Sequence, residues 1–560
     1  MVSNVESRFA TNPVNLDMPR STFNRDSRHC TTWNTGDLVP VYVDEVLPGD
    51  TFNMKVASAV RLQTLLRPPM DNLYMDTFFF FVPYRLVWSH WKEFMGENTS
   101  SAWIPAVSYT TPQVTAPSGG WSKGTIADYM GIPTGVGDVS ISALPFRAYA
   151  LIVNEWFRSE VLQSPVVINT GDSTTAGSNG NDYITDLEKG GMTFTVNKYF
   201  DEFTGALPSP QKGPDVMMPS GDAMPVVTMG TKISESLFPR NAAGKTFSPS
   251  TGEVGSLNGN WRNEKYFNYN SGVTGYVADS NNAATTFNNL YALPMNDNMP
   301  TINELRTAFQ VQKFYEAQAR GGSRYTEMIR EFFRVTSPDA RLQRPEYLGG
   351  CRRMININQV IQQSATDSTS PQGNLAGISL TTDSIDGFTK SFTEHGLILG
   401  LICCRYDHTY QNGAEPFWFR KTMFDHYFPV FANLGEAPIY NRNIFLQGSN
   451  AVDSATGLPY DDEVFGYQER WYDYRYKPSR VSSEMRSSYA TSLDSWHFAD
   501  DYISLPSLSA GWLKEDKSNV DRALAVQSSV SNQFFGDFFF KCKATRCMPV
   551  YSVPGLIDHH

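Results

Sequence analysis

Residues 71–98 read DNLYMDTFFFFVPYRLVWSHWKEFMGEN, a stretch with four consecutive phenylalanines, Phe78 to Phe81, and then Pro83, Trp88 and Trp91. In a strand, successive side chains point to opposite faces, so Phe78 and Phe80 face one way and Phe79 and Phe81 the other. Burying a Phe gains roughly 2–3 kcal/mol, and a flat strand that leaves such a row wet invites aggregation. Both faces must therefore be covered, by a core on one side and by loops or another subunit on the other.

Composition says what kind of scaffold can do this. The chain has 560 residues, enough for about three or four average domains or for fewer large β domains. Its 36 Phe, 27 Tyr and 11 Trp, with only 18% charged residues and with 41 Gly and 33 Pro, point to strands joined by long ordered loops. The first residues, MVSNVESRFATNPVNLDMPR, show no basic end followed by an apolar stretch. The most apolar run, GLILGLICC at 396–404, is half the length needed to cross a membrane. The expectation is a soluble protein made in the cytoplasm. Cys30, Cys351, Cys403, Cys404, Cys542 and Cys547 form no C-x-x-C pair, which predicts reduced, mostly buried thiols. The net charge of −11 excludes a simple nucleic-acid-binding protein, although a local basic patch remains open.

Along the chain, LVPVYVDEV and TFNMKVASAVRLQTLL read as strands on either side of the turn LPGD, and the Phe run is expected to end in another strand at Val82–Pro83. Phe146, Tyr149, Ala150, Val153 and Phe157 have helical spacing. Residues 241–300 include twelve Asn, yet carry Trp261, Tyr266, Phe267, Tyr269 and Tyr276, which fits an aromatic-pinned insertion with a polar surface. A helix follows, with capping-box spacing at Thr301 and Glu304 and a stop at Gly321–Gly322, and RYTEMIREFF is a second helical segment. Strands return in GLILGLICCRYD, apolar on both faces, and in FFGDFFFKCKA, which ends in alternation. Strand partners far apart in sequence suit a sandwich or jelly roll built from both chain ends.

The search for chemistry is mostly empty. RNAAGKTF at 240–247 has the tail of a phosphate loop, but Pro239 stands where the motif needs Gly. His408 beside Asp407 and His426 beside Asp425 resemble metal or acid–base sites, yet neighbours on a strand point apart, so structural histidines are the expected reading. The pairs Asp44–Glu45 and Asp500–Asp501 keep a rival class open, a secreted or cytosolic β-rich carbohydrate-active enzyme or carbohydrate-binding protein. In ERWYDYRYKPSR at 469–480, Arg470, Arg475, Lys477 and Arg480 alternate with Trp471, Tyr472, Tyr474 and Tyr476. Single-stranded nucleic acid is held by such a combination, and subunit interfaces share the composition.

Long segments spread over nearly the whole chain resemble the major capsid proteins of gokushoviruses, single-stranded DNA phages of the microvirus family. They include NTGDLVPVYVDEVLPGDTF (34–52), PPMDNLYMDTFFFFVPYRLVWSHWKEFMGEN (68–98), ALPFRAYALIVNEWFR (143–158), TINELRTAFQ (301–310), SPDARLQRPEYLGG (337–350), FGYQERWYDYRYKPSR (465–480) and MPVYSVPGLIDH (548–559). The resemblance implies a mainly β fold, an eight-stranded antiparallel jelly roll of viral capsid type with long loop insertions and a few helices. It implies an interior N-terminal arm at 1–35, a first part of the jelly roll at 36–219, a surface insertion at 220–300 forming a threefold protrusion, and helices with the remaining strands at 301–560. It implies sixty copies in a T=1 icosahedral shell around a circular single-stranded DNA genome, in a virion assembled in the bacterial cytoplasm. No catalytic residue, metal or cofactor follows from it.

The partners it implies are the chain itself, the DNA genome, a small basic DNA-binding capsid protein, a minor pilot protein, an internal scaffolding protein and a bacterial surface receptor. Neighbouring chains of the shell, with the long loops, are then expected to cover the far face of the Phe run. Sixty negative chains around a polyanion need basic groups on the inner wall or a separate basic component. Candidate DNA contacts are Arg470, Trp471, Arg475, Lys477 and Arg480, with Arg20, Arg25 and Arg28 of the arm; Trp261, Tyr266, Tyr269 and Tyr276 are candidates for a receptor surface.

Overall fold

The computed structural model describes residues 19–97, 108–214, 216, 226–228, 290–292, 302–322, 324–363, 366 and 371–551. Nine strands build its centre: β1 (Arg20–Asn24), β2 (Ser27–Trp33), β3 (Val39–Val46), β4 (Thr51–Leu62), β5 (Leu73–Pro83), β6 (Glu346–Met354), β7 (Thr381–Ser391), β8 (Gly396–Tyr406) and β9 (Phe534–Cys547). The expected turn joins β3 to β4, with Gly49 at φ +86° and the Asp50 carboxylate accepting the Leu47 amide at 2.9 Å. The Phe run does not end in a separate strand, because β5 is continuous from Leu73 to Pro83.

Two antiparallel sheets result. In one, β1 and β2 lie in succession along β9, followed by β4 and β7; in the other the order is β6, β5, β8, β3. β4 and β9 alternate buried and exposed residues, so their sheet buries one face. β5 and β8 are buried nearly throughout, so their sheet is covered twice. Between the sheets, Phe79 meets Phe388 at 5.4 Å and Tyr42 meets Phe540 at 4.9 Å, while Phe81 packs on Phe392 at 4.6 Å. Gly400 of β8 is part of this fit. A Cβ there would lie 2.8 Å from the Phe79 ring and 2.9 Å from the Tyr42 Cβ, so glycine lets the ring lie flat on the sheet.

On the outer face, Phe80 and Val82 join Leu399, Leu401 and Cys403 beneath α1 (Leu144–Ile152), with Trp88, Trp121 and Tyr149 filling the same layer. Phe80 contacts Trp156 at 5.4 Å. Of the two covers expected, long loops and neighbouring chains, the chain's own residues supply the one at Phe80. The chain's own residues bury Phe80 as deeply as Phe79, each 1% exposed. α1 keeps helical spacing only to Ile152, and a wider π-type turn carries Val153–Phe157.

α2 (Ile302–Gly321) stops before Gly322, whose φ is +97°; Thr301, its expected cap, lies outside the described residues. RYTEMIREFF forms Tyr325–Met328 and a wider turn to Phe333. One-turn helices such as Tyr84–Val87 and Ile126–Tyr129 were not visible as sequence periods. The chain divides into two compact units, Met1–Pro210 with Gln318–His560, and Gln211–Ala317. In the second, Val226–Thr228 pairs antiparallel with Leu290–Ala292.

Among the described residues no helix is long and apolar enough to cross a membrane. Cys403, Cys404 and Cys542 are buried, Cys351 is half-buried, and Cys30 and Cys547 are exposed, so half rather than most of the thiols are in the core.

Candidate functional site

The basic-aromatic stretch begins at the end of the strand Val464–Glu469, which pairs with Glu436–Tyr440. Trp471 takes the left-handed conformation at φ +69°, and this reverses the chain into the short turn Tyr472–Tyr474. The reversal buries the Trp471 ring. Its Nε1 donates to the Phe431 carbonyl at 2.9 Å, and Tyr427 packs edge-on against it at 5.6 Å. Arg470 lies over the same ring at 5.1 Å. Arg475 pairs with Glu469, and Lys477 and Arg480 share Glu415, Lys477 at 2.6 Å. The stretch is thus an aromatic anchor with Arg470 on its ring and three further cations paired with acids.

The arm arginines are engaged in the same way. Arg25 holds Asp44 at 2.6 Å, Arg28 makes a two-pronged pair with Asp537 at 2.6 and 2.7 Å, and Arg20 donates to the Gly49 carbonyl at 2.6 Å. The structure therefore brings Arg470, Trp471, Arg475, Lys477 and Arg480 together along one segment, and places Arg20, Arg25 and Arg28 on the edge of the β9 sheet. Trp261, Tyr266, Tyr269 and Tyr276 lie outside the described residues, as does the 240–247 stretch.

Beside the 468–476 segment is an open cavity of about 600 Å³ whose lining includes Lys198, Glu202, Arg320, Tyr472, Arg475 and Tyr476. Lys198, Arg320 and Arg475 each face an acid, Asp500, Glu436 and Glu469 respectively. Among the described residues no cation pairs with Glu202, which is 9% exposed. Its burial, reinforced by the charges of Asp201 and Asp473, pushes its carboxyl up to about 8.

His408, Asp425 and the carboxylate pairs are taken up in hydrogen bonds and ion pairs within the chain. His408 does not pair with Asp407 but is enclosed between Asp500 and Glu515, close to Lys198. Asp425 accepts the backbone amides of Lys421 and Thr422. Asp44 accepts from Arg25 and from the Tyr42 hydroxyl, while Glu45 accepts from Tyr84. Asp501 turns to the Asn412 amide. The sequence reading missed Asp76, a carboxylate in the middle of β5 that is 3% exposed. It accepts from Tyr199 at 3.0 Å, from Arg352 at 2.9 Å and from Arg405. Its signal was present, since a lone Asp in an apolar strand has to bring its partners with it. No group of three or more His, Cys, Asp and Glu side chains is placed to hold a metal ion among the described residues.

A two-sheet sandwich with internally paired charges and long covering loops defines a mainly β protein of the sandwich class. More particularly, the chain belongs to the family described as Capsid protein (F protein), whose model matches residues 13–556. It is 40% identical over 547 residues to capsid protein VP1 of Spiroplasma virus 4, a match covering 96% of each chain. It is 39% identical over 591 residues to capsid protein VP1 of Chlamydia phage 1, covering 99% of this chain and 98% of the relative. With capsid protein VP1 of Bdellovibrio phage phiMH2K the identity is 38% over 548 residues, covering 96% and 95%. The resemblance read from the sequence segments is correct. The chain is a structural capsid protein that self-assembles and resides in the virion, and the carbohydrate-active reading finds no support.

Proposed function

We propose that the two sheets form an eight-stranded jelly roll, and that sixty copies close into a T=1 icosahedral shell around a circular single-stranded DNA genome. The strand order carries this reading. If β1 and β2 are taken as one strand bent at Arg25–Asp26, the strands in chain order make one sheet as first, eighth, third, sixth and the other as second, seventh, fourth, fifth. Two interlocked Greek keys of this kind characterise viral jelly rolls. Electron microscopy of the purified full-length chain tests the proposal. Uniform small icosahedral shells are expected; monomers or open filaments at all concentrations would overturn it.

The acid partners of Arg25, Arg28, Arg475, Lys477 and Arg480 support a division of labour. Phosphates would have to displace carboxylates at each of these residues, so genome neutralisation falls mainly to a separate small basic DNA-binding protein. An internal scaffolding protein during assembly in the host cytoplasm and a minor pilot protein complete the proposed partners. Host attachment is assigned to the insertion at 220–300. Its Asn-rich composition with Trp261, Tyr266, Tyr269 and Tyr276 suits an adaptable receptor-binding surface.

A further inference from the structure

The most apolar exposed feature in the 407–533 connection is the segment 416–434, which carries PFWFRKTMFDHYFPVFANL. Short 3₁₀ turns at Pro416–Phe419, Met423–Asp425 and Pro429–Phe431 prevent it from folding its aromatics inward as a helix or strand would. Trp418 is 68% exposed, Phe424 61% and Val430 88%, and Met423, Tyr427 and Phe428 are also exposed. The segment is nonetheless held in place. Phe431 supplies the carbonyl bound by the buried Trp471, Phe424 packs on Phe431 at 6.1 Å, and Tyr427 lies 6.0 Å from Tyr474. It is an anchored apolar ridge rather than a loose loop.

We infer that this ridge is a contact surface for a second copy of the chain. The inference rests on the capsid reading and adds to it the surface that carries the contact. Area is the first reason. With ~200 Å² for a large side chain, the exposed parts of the ridge sum to on the order of 800 Å², about one partner's share of a standard interface. Apolar patches of that extent are rare on proteins that remain monomeric.

Charge is the second reason, and it decides between a protein and the genome as occupant. Bases could stack on Trp418 and Phe424, but a strand also needs cations for its phosphates. Around the ridge Arg420 is paired with Asp473, Arg442 with Asp462, and Lys477 and Arg480 with Glu415. Arg470 lies on Trp471, which leaves Lys421 as the one cation without a partner among the described residues there. A neutral aromatic ridge matches the anchor region of a protein interface, where aromatics are enriched and unpaired charge is depleted. Beside it, a groove of about 530 Å³ lined in part by Phe419, Phe424, Pro438 and Trp471 offers a socket for a side chain of the neighbour.

The test uses the full-length chain carrying Trp418→Ser and Phe424→Ser. Thermal melting of dissociated subunits, hydrophobic-dye fluorescence, shell yield by sedimentation and electron microscopy, and binding of an oligothymidine by fluorescence anisotropy are compared with the unsubstituted chain. The subunits are expected to melt within a few degrees of the parent and to bind at least twofold less dye. The concentration needed for shells should rise tenfold or more, with oligothymidine binding unchanged. Shells forming at the parent concentration would overturn the inference, and so would a loss of oligothymidine binding with assembly intact, which would give the ridge to the genome. Should the double variant fail to fold, Val430→Asp, which changes a side chain already in solvent, is read in the same way. If the unsubstituted chain forms no shells under any condition, the shell reading fails, and that result is separate from the behaviour of the variants.

Discussion

His408 Nδ1 lies 2.7 Å from Asp500 Oδ2, and its Nε2 lies 3.0 Å from Glu515 Oε1, with all three side chains shut off from solvent. A carboxyl at each ring nitrogen favours a proton on both, so the ring is held as an imidazolium, while burial pushes the Glu515 carboxyl above its usual range. Lys198, 3.8 Å from Asp500, brings the cluster to two positive and two negative groups. Asn519 donates to Asp500 at 2.6 Å, and the Tyr406 ring lies 4.4 Å from the imidazole. The knot ties the end of β8 to the connection that leads back to β9.

Its charge sets the first prediction. Burial lowers the His408 pKa, but the charges of Asp500 and Glu515 and their hydrogen bonds outweigh it and lift the value from 6.5 to about 9. A folded-state pKa above the unfolded one contributes stability that is full below about 6.5 and is lost as pH rises through about 9. Chemical denaturation of dissociated subunits at several pH values between 6 and 10 is expected to show this decline. His408→Gln should cost roughly 3–5 kcal/mol at pH 6, because two buried carboxylates are left with Lys198 as their one remaining cation in the cluster, and should flatten the slope. An unchanged slope in the variant would refute the assignment.

Glu202 also lowers stability as pH rises, but by gaining a buried negative charge rather than by losing a positive one. Its carboxyl, raised by burial from 4.5 to about 8, opposes folding increasingly as pH rises from about 4.5 to about 8. Glu202→Gln removes that cost. The variant is expected to match the parent near pH 4.5 and to exceed it by on the order of 3 kcal/mol at pH 8. Equal stability at both pH values would mean that a cation reaches the side chain.

The two faces of β5 yield a third prediction. Phe79 lies between the sheets and Phe80 beneath α1, both within one chain. Phe79→Ala and Phe80→Ala should each destabilise the dissociated subunit by roughly 3–5 kcal/mol, measured by denaturant unfolding. A neighbour-covered Phe80 would instead make its substitution nearly silent in the subunit and harmful only in the shell.

Replacing residues 245–290 by a short Gly-Ser linker tests the proposed attachment surface. Surface insertions are exchanged at little cost to a scaffold, so shells are expected to form and to lose adsorption to host cells. Adsorption at parent level by electron microscopy and plating would remove receptor binding from the insertion, and shells that fall apart would make it a clamp between subunits.

Much of the fold was legible because its determinants are local. The alternation of Thr51–Leu62, the Pro48–Gly49 turn, the doubly apolar Gly396–Tyr406 and the stop at Gly321–Gly322 all depend on residues within a few positions of one another. The demand that Phe78–Phe81 be covered on both faces was likewise local, but what covers them was not. The sequence left a neighbouring subunit and the chain's own loops equally open, and the packing of α1 on the β5–β8 face decided for the chain itself.

Long-range pairing also set many of the charge partners. Arg28 and Asp537 are brought together by the β2–β9 ladder, and His408 passes over the adjacent Asp407 for Asp500, 92 residues away. By itself the sequence determined the strand periods, the turns and the protein family. Only the tertiary structure decided which cations are spent inside the chain, because an ion pair is chosen by distance and desolvation in the folded state, not by nearness along the chain.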